Sequence, residues 1–357
     1  MKNLFTLILI IIVFGASCKN DNPKDEYPFQ KVKPETQGFS SQKLDTLSQF
    51  LEKAGSSSLL ILVDGKLVYS WGDVSKKHTI HSIRKAILNS LYGIYVDIGI
   101  INLNETLADL KIDDLDTLTT LEKTATISDL LKSRSGIFHK AAATSAGMLR
   151  GIPKRGTYKP NEAHVYNNWD FNVLGYILEQ KTGESLYDLF DKHIAKPLGM
   201  QYSNEITTLK NPTEETPFPN TDGYYQFEDD KSKYPAYHFR LSAKDMALFG
   251  QLYLNKGNWK GKQIISEEWI EKSTTPYSIT NPRYGIGYGM LWKILTPTET
   301  RKSKSFYHTG VGIHMLGVYP ASKVVLIHRV DTEQEFTFNE GDFYRMISLV
   351  WGSEIKN

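Results

Sequence analysis

An Asp-Gly pair sits between two short runs of strand-forming residues near the start of this chain. Residues 58–63 precede Asp64-Gly65 and residues 67–71 follow it. A two-residue hairpin turn needs positive φ at its centre, which Asp and Gly tolerate, so the pattern predicts a β-hairpin. Strand patterns, rich in β-branched and aromatic residues, return near the other end at 285–295, 305–308, 314–319 and 324–330. The middle of the chain is mostly helical in period. Apolar residues at steps of three and four mark helices at 41–54, 82–98, 169–180 and 185–194, the last ending before Pro197. A short helix is expected at 127–131, a further one capped by Ser242 and stopped by Gly257, and a closing one at 343–351. Residues 139–160 are polar, contain glycine and read as a loop. The layout is a strand pair, a long helical insert, a strand set, and a helix at each end. It predicts an α+β domain in which helices flank an antiparallel sheet and a helical subdomain is inserted.

The 357 residues are 40% hydrophobic and 23% charged, with a net charge of +2. That is the make-up of an ordinary globular protein with a good core. It carries no basic stripe of the kind that binds nucleic acid. Residues 1–17 have a positive start at Lys2, an apolar core and small residues before Cys18, the chain's single cysteine. This resembles a bacterial lipoprotein signal, in which the cysteine is lipidated and becomes the mature N-terminus. The resemblance implies a cell-envelope protein, lipid-anchored to the membrane, with its domain outside the cytoplasm. Residues 18–38 are then a tether and 39–357 the folded domain.

The helix at 82–98 opens with Ser82-Ile83-Arg84-Lys85. Residues three apart share a helix face, so Ser82 and Lys85 are neighbours. A serine is a weak nucleophile until a base takes its proton, and a lysine held neutral by burial is such a base. Ser-x-x-Lys occurs three times in the chain, at Ser40, Ser82 and Ser353. Ser40 reads as a helix cap and Ser353 lies in the tail, so Ser82 is the candidate nucleophile. A hydrolytic site also needs a proton donor for the leaving group and donors for the oxyanion. Tyr166-Asn167-Asn168 precedes the next long helix. A tyrosine beside a lysine ammonium has its pKa lowered and passes protons; Asn168 orients Lys85 and holds a substrate carbonyl. Tyr-x-Asn recurs at Tyr202 and Tyr253, the latter on an apolar helix face. His308-Thr309-Gly310 ends a strand, where the N–H of Val311 could pair with that of Ser82 as an oxyanion hole.

Ser82-x-x-Lys85, Tyr166-x-Asn168 and His308-Thr309-Gly310, in that order, resemble the three motifs of penicillin-recognising serine hydrolases. The resemblance is to the class C β-lactamase-like branch of esterases, D-aminopeptidases and DD-peptidases, and covers roughly Phe39 to the C-terminus. Leu174-Gly175, Thr182-Gly183, residues 197–200 and residues 241–246 agree with it. It implies a β-lactamase/transpeptidase-like fold and an acyl-enzyme on Ser82. Lys85 and Tyr166 are then the base system, Asn168, His308 and Gly310 the pocket, and no cofactor is required. Lys181-Thr182-Gly183 spells a common form of the third motif, but it follows a helix, where Gly183 acts as a stop. Two positions depart from the pattern. His308 stands where a lysine usually favours an anionic substrate group, which turns the expectation toward a neutral ester or amide. Arg84 stands where a small residue is usual and, if near the amine, would help keep Lys85 neutral. A metal site is not expected, since His78 and His81 have no acidic ligand at suitable spacing. Two rivals remain: a β-lactamase or DD-peptidase acting on the cell wall, and an inactive binding lipoprotein on the same fold.

Overall fold

The computed structural model describes residues 28–355, so the readings of residues 1–17, Cys18 and Lys356 lie outside the described residues. The folded chain begins ahead of Phe39. Phe29 is buried, and Val32 N–H donates to Leu67 O at 3.0 Å.

Asp64 has φ 49 and Gly65 φ 73, both positive as a tight hairpin turn requires, joining β1 (Ser58–Val63) to β2 (Lys66–Gly72). The remaining strands are β3 (His78–Thr79), β4 (Ile206–Lys210), β5 (Gly223–Phe227), β6 (Ala236–Leu241), β7 (Asn258–Trp259), β8 (Lys262–Gln263), β9 (Ser278–Asn281), β10 (Ile286–Tyr288), β11 (Lys293–Leu295), β12 (Ser305–Thr309), β13 (Met315–Tyr319) and β14 (Val324–Arg329). Eight of them form one sheet in the order β2-β1-β14-β13-β12-β11-β10-β9. Every neighbouring pair in it is antiparallel. The hairpin thus pairs with the last strand, Leu60 opposite Ile327, and the two ends of the chain make one sheet.

The helices are α1 (Ser41–Ala54), α2 (Arg84–Asp97), α3 (Ile127–Leu131), α4 (Ala146–Gly151), α5 (Asn168–Thr182), α6 (Leu186–Phe190), α7 (Lys196–Leu198), α8 (Ala243–Leu254), α9 (Glu267–Ser273) and α10 (Glu340–Gly352). All six residues of β1 are buried, because the sheet is covered on both faces. Successive strand residues point to opposite sides. Leu59, Ile61 and Val63 pack with Leu44, Leu47 and Leu51 of α1 and Met346 and Val350 of α10. Leu60 and Leu62 join the larger core that holds α2, α5 and α8. Each such fully buried aliphatic side chain contributes about 1.5–3 kcal/mol relative to exposure. Ser40 caps α1 through Lys43 N–H, as its position suggested, and Gly55 ends that helix at φ 77.

Four sequence expectations change. The insert is not only helical, because β3-β6-β5-β4 form a second sheet in which β4 and β5 run parallel. Residues 285–295 are two paired strands, β10 and β11, not one. The loop at 139–160 contains α4, capped by Ser145. The helix at 185–194 continues through Pro197 to Gly199, whose φ of 73 stops it. The turn ahead of Pro197 is a wider π-turn over 191–195, with Lys196 N–H bonded to Asp191 O, and the proline follows that irregularity.

Candidate active site

Ser82 lies in a 3-10 turn, His81–Ile83, that feeds directly into α2. His81 holds φ 46, unusual for a residue with a side chain, and turns the chain sharply just before the serine. Its ring is fixed by Thr332 Oγ1 at 2.7 Å and by stacking on His314 at 5.5 Å. Burial and nearby cations push His81 down to about 3, so it is neutral. The spacing of three residues then delivers Lys85 Nζ to 2.9 Å from Ser82 Oγ.

Lys85 is fully buried. Its amine sits 4.5 Å from the Phe171 ring centre and 5.0 Å from that of Tyr166. Burial, then the charges of Arg84 and Lys293, hold its pKa well below the usual lysine range. A neutral amine at this distance can accept the serine proton. Tyr166 differs from the sequence expectation. Its pKa is not lowered but pushed up to about 12, because burial outweighs the opposing effects of a hydrogen bond with Ser82 and the Arg84 charge. Burial thus biases the amine toward its neutral form and the phenol toward its protonated form, which suits Lys85 to take a proton and Tyr166 to give one.

A cleft of about 520 Å³ opens onto Ser82 and Tyr166. Its walls include His164, Tyr288, Lys293, Tyr307, Thr309, Gly310 and Val311, with Ser145 and Met148 at the α4 side. Lys85, Asn168 and His308 stand behind these walls. Asn168 donates Nδ2 to Ala143 O at 2.6 Å, while its own amide oxygen has no protein partner. His308 is fully buried, with Nδ1 2.9 Å from Thr309 O, and burial holds it neutral. The amides of Ser82 and Val311 both come ahead of the bonds that close their turns. Those bonds run from Ile83 N–H to Ile80 O at 3.2 Å and from Ile313 N–H to Gly310 O at 2.8 Å.

The repeated patterns sort themselves in the fold. Tyr253 donates to Asn89 Oδ1 at 2.7 Å in the core, and Tyr202 packs edge-on against Phe190 at 5.0 Å. Gly183 ends α5 at φ 73, and Lys181 pairs with Glu105 at 2.5 Å. Residues 207–235 supply most of β4 and all of β5, and none lines the cleft. There Tyr224 stacks on His238 and Tyr225 meets Tyr187 edge-on.

Sequence reasoning missed Lys293. It lies opposite Tyr307 in the β11–β12 pair, hence on the same face as Thr309, and donates to Thr309 Oγ1 at 2.9 Å. Burial lowers its pKa. The available signal was a lysine inside an otherwise apolar run, Trp292-Lys293-Ile294-Leu295.

The fold and this site define a serine hydrolase. Residues 45–348 match the β-lactamase family, and the chain belongs to that family. A protein of Escherichia coli O157:H7 named D-alanyl-D-alanine carboxypeptidase is 24% identical over 380 residues, covering 85% of each chain. Among solved structures, a 6-aminohexanoate-dimer hydrolase from Bacillus anthracis superposes with a TM-score of 0.66 at 19% identity, covering 91% of this chain and 87% of that one. A D-stereospecific amidohydrolase from Streptomyces has a TM-score of 0.61 at 15% identity, with 85% and 97% covered. At such identities the structural likeness speaks for the fold alone.

Proposed function

We propose that this protein hydrolyses an ester or amide through an acyl-enzyme on Ser82. The observation that carries the reading is the buried Lys85 amine, its pKa well below the usual lysine range, 2.9 Å from Ser82 Oγ, with Ser82 lining an open cleft. Lys85 accepts the serine proton as Oγ attacks the carbonyl carbon, and the N–H groups of Ser82 and Val311 receive the oxyanion. Tyr166 donates a proton to the leaving group. Water then adds to the acyl carbon, gives up its proton by the reverse route, and releases Ser82.

A second reading concerns the substrate. Replacement of the usual lysine by His308 argued for a neutral ester or amide, but Lys293 supplies a cation to the same cleft beside Thr309. Together with relatives named carboxypeptidase, this favours an amide or peptide carrying a free carboxylate. The test is a panel of p-nitrophenyl esters, a chromogenic cephalosporin and a D-alanyl-D-alanine peptide. Ser82→Ala is expected to lose all turnover; retained turnover would sink the acyl-enzyme scheme. Lys293→Met should lose about tenfold or more on the carboxylate substrate alone, as fits one hydrogen bond to a charged group. An equal loss on neutral esters would return the reading to a neutral substrate.

The reading also carries an address, the outer side of a membrane with Cys18 lipidated, supported by the pattern of residues 1–18. Cells fed radiolabelled palmitate should label the wild type and not Cys18→Ser. Label persisting in the serine variant would remove the anchor from Cys18.

A further inference from the structure

Arg84 is buried, only 3% exposed, on the first turn of α2. A guanidinium in that position ordinarily faces a carboxylate, because an unpaired buried charge is costly. Among the described residues none forms an ion pair with it. Its nearest partners are neutral: Asn172 Oδ1 at 3.3 Å from Nη2, and the Tyr237 ring with its centre 4.9 Å from Cζ. Its Nε has no acceptor at all. The sequence thus keeps a full positive charge next to Lys85, sealed from solvent and left uncompensated.

We infer that Arg84 is a positioning residue for the reaction, a fixed cation that sets the protonation states of both Lys85 and Tyr166. The inference rests on the acyl-enzyme reading of the site and adds what tunes its base. Adjacent residues on a helix do not face each other, so Arg84 does not touch the amine. It acts through the field, which is strong here because little water intervenes. The groups around Lys85 come from several elements: His81 and Ser82 from the turn, Tyr166 and Phe171 from α5 and the loop before it, His238 from β6, Lys293 from β11 and His308 from β12. The histidines among them are held neutral, and the charges acting on Lys85 are Arg84 first and Lys293 second.

These two cations differ in one respect. Lys293 lines the cleft, where a substrate anion or solvent ions can neutralise it. Arg84 does not line the cleft, so its charge persists when substrate binds. It also pulls the Tyr166 phenol down against its burial, which favours a tyrosinate once that residue has given up its proton. One buried charge therefore acts on base and acid in the same direction, toward loss of a proton.

The test needs no substrate. Fluorophosphonate labelling of Ser82 is followed against pH in the full chain, with mass spectrometry to place the adduct. Labelling requires Lys85 unprotonated, so its rate falls as pH drops through the amine pKa. Removing the charge with Arg84→Gln should move that acid limb up by about one pH unit or more, a tenfold slower rate below both midpoints. Asn172→Asp sets a carboxylate against the guanidinium without removing it, and should move the limb upward as Arg84→Gln does. That variant keeps the question open to refutation if Arg84→Gln does not fold. An unmoved midpoint in either folded variant would overturn the role of Arg84 while leaving the serine hydrolase reading intact. Absence of any Ser82 labelling in the wild type would instead overturn both.

Discussion

Lys85→Met is expected to lower kcat/KM by about 10²- to 10⁴-fold, the range for removing a general base, without destabilising the fold. Methionine matches lysine in length and lack of branching, and its thioether fills the site between Phe171 and Tyr166 without a charge. The stability half of the expectation follows from the buried amine. The unfolded chain binds a proton at this lysine more readily than the folded chain does, since burial and the Arg84 charge lower its folded pKa. Stability of the wild type therefore rises with pH across the interval between the folded and unfolded values, and this contribution is absent in the variant. At pH 7 the melting temperature of Lys85→Met should equal or exceed that of the wild type, by about 1–2 °C for each kcal/mol released. The gain should shrink as pH climbs toward the ordinary lysine range. Calorimetry at three pH values with parallel kinetics would check both halves. A variant that is less stable and also inactive would make Lys85 a structural residue.

Gly310→Ala should be nearly as damaging, by a different route. Gly310 has φ −117, so its backbone would suit any residue. The constraint is space. A methyl group there would lie 2.7 Å from Ile80 O and 3.0 Å from His81 Cβ. Ile80 cannot retreat easily, because its N–H donates to Phe239 O at 3.0 Å and its carbonyl accepts from Ile83 N–H. The end of β12 must move instead, and it carries Val311 away from Ser82. Losing one oxyanion donor costs about 10²- to 10³-fold in kcat, and overpacking costs about 1–3 kcal/mol of stability. Gly151→Ala, where a methyl group meets nothing within 4 Å, is the control and should change neither. A Gly310→Ala enzyme with wild-type kcat would remove Val311 from the proposed oxyanion hole.

The elements that read clearly from sequence share one property, in that their cause is local. Residues 41–54 form α1 because Leu44, Leu47 and Leu51 recur at helical spacing between a serine cap and a left-handed glycine. The Asp64-Gly65 turn needs two positive φ values, which these neighbours adopt with little strain. Ser82 and Lys85 meet because helical geometry brings residues three apart together. Strand breaks were less legible. Residues 285–295 looked continuous because Tyr288, Leu291 and Trp292 are apolar throughout. Leu291 nevertheless adopts φ 60, and the chain doubles back there.

What sequence alone determined is therefore the α+β class, the three short motifs and a lysine set three residues from the serine on one helical face. The tertiary structure decided the rest, because those facts depend on segments far apart in the chain. Lys293 reaches the cleft only through the pairing of β11 with β12. The second sheet forms only when β3, from before α2, meets β6. The sign of the Tyr166 shift was also beyond a sequence reading. Burial raises the Tyr166 pKa and lowers that of Lys85, and that burial comes from segments far apart in the chain. Local rules place atoms a few residues apart; the electrostatics of a buried site depend on everything packed around it.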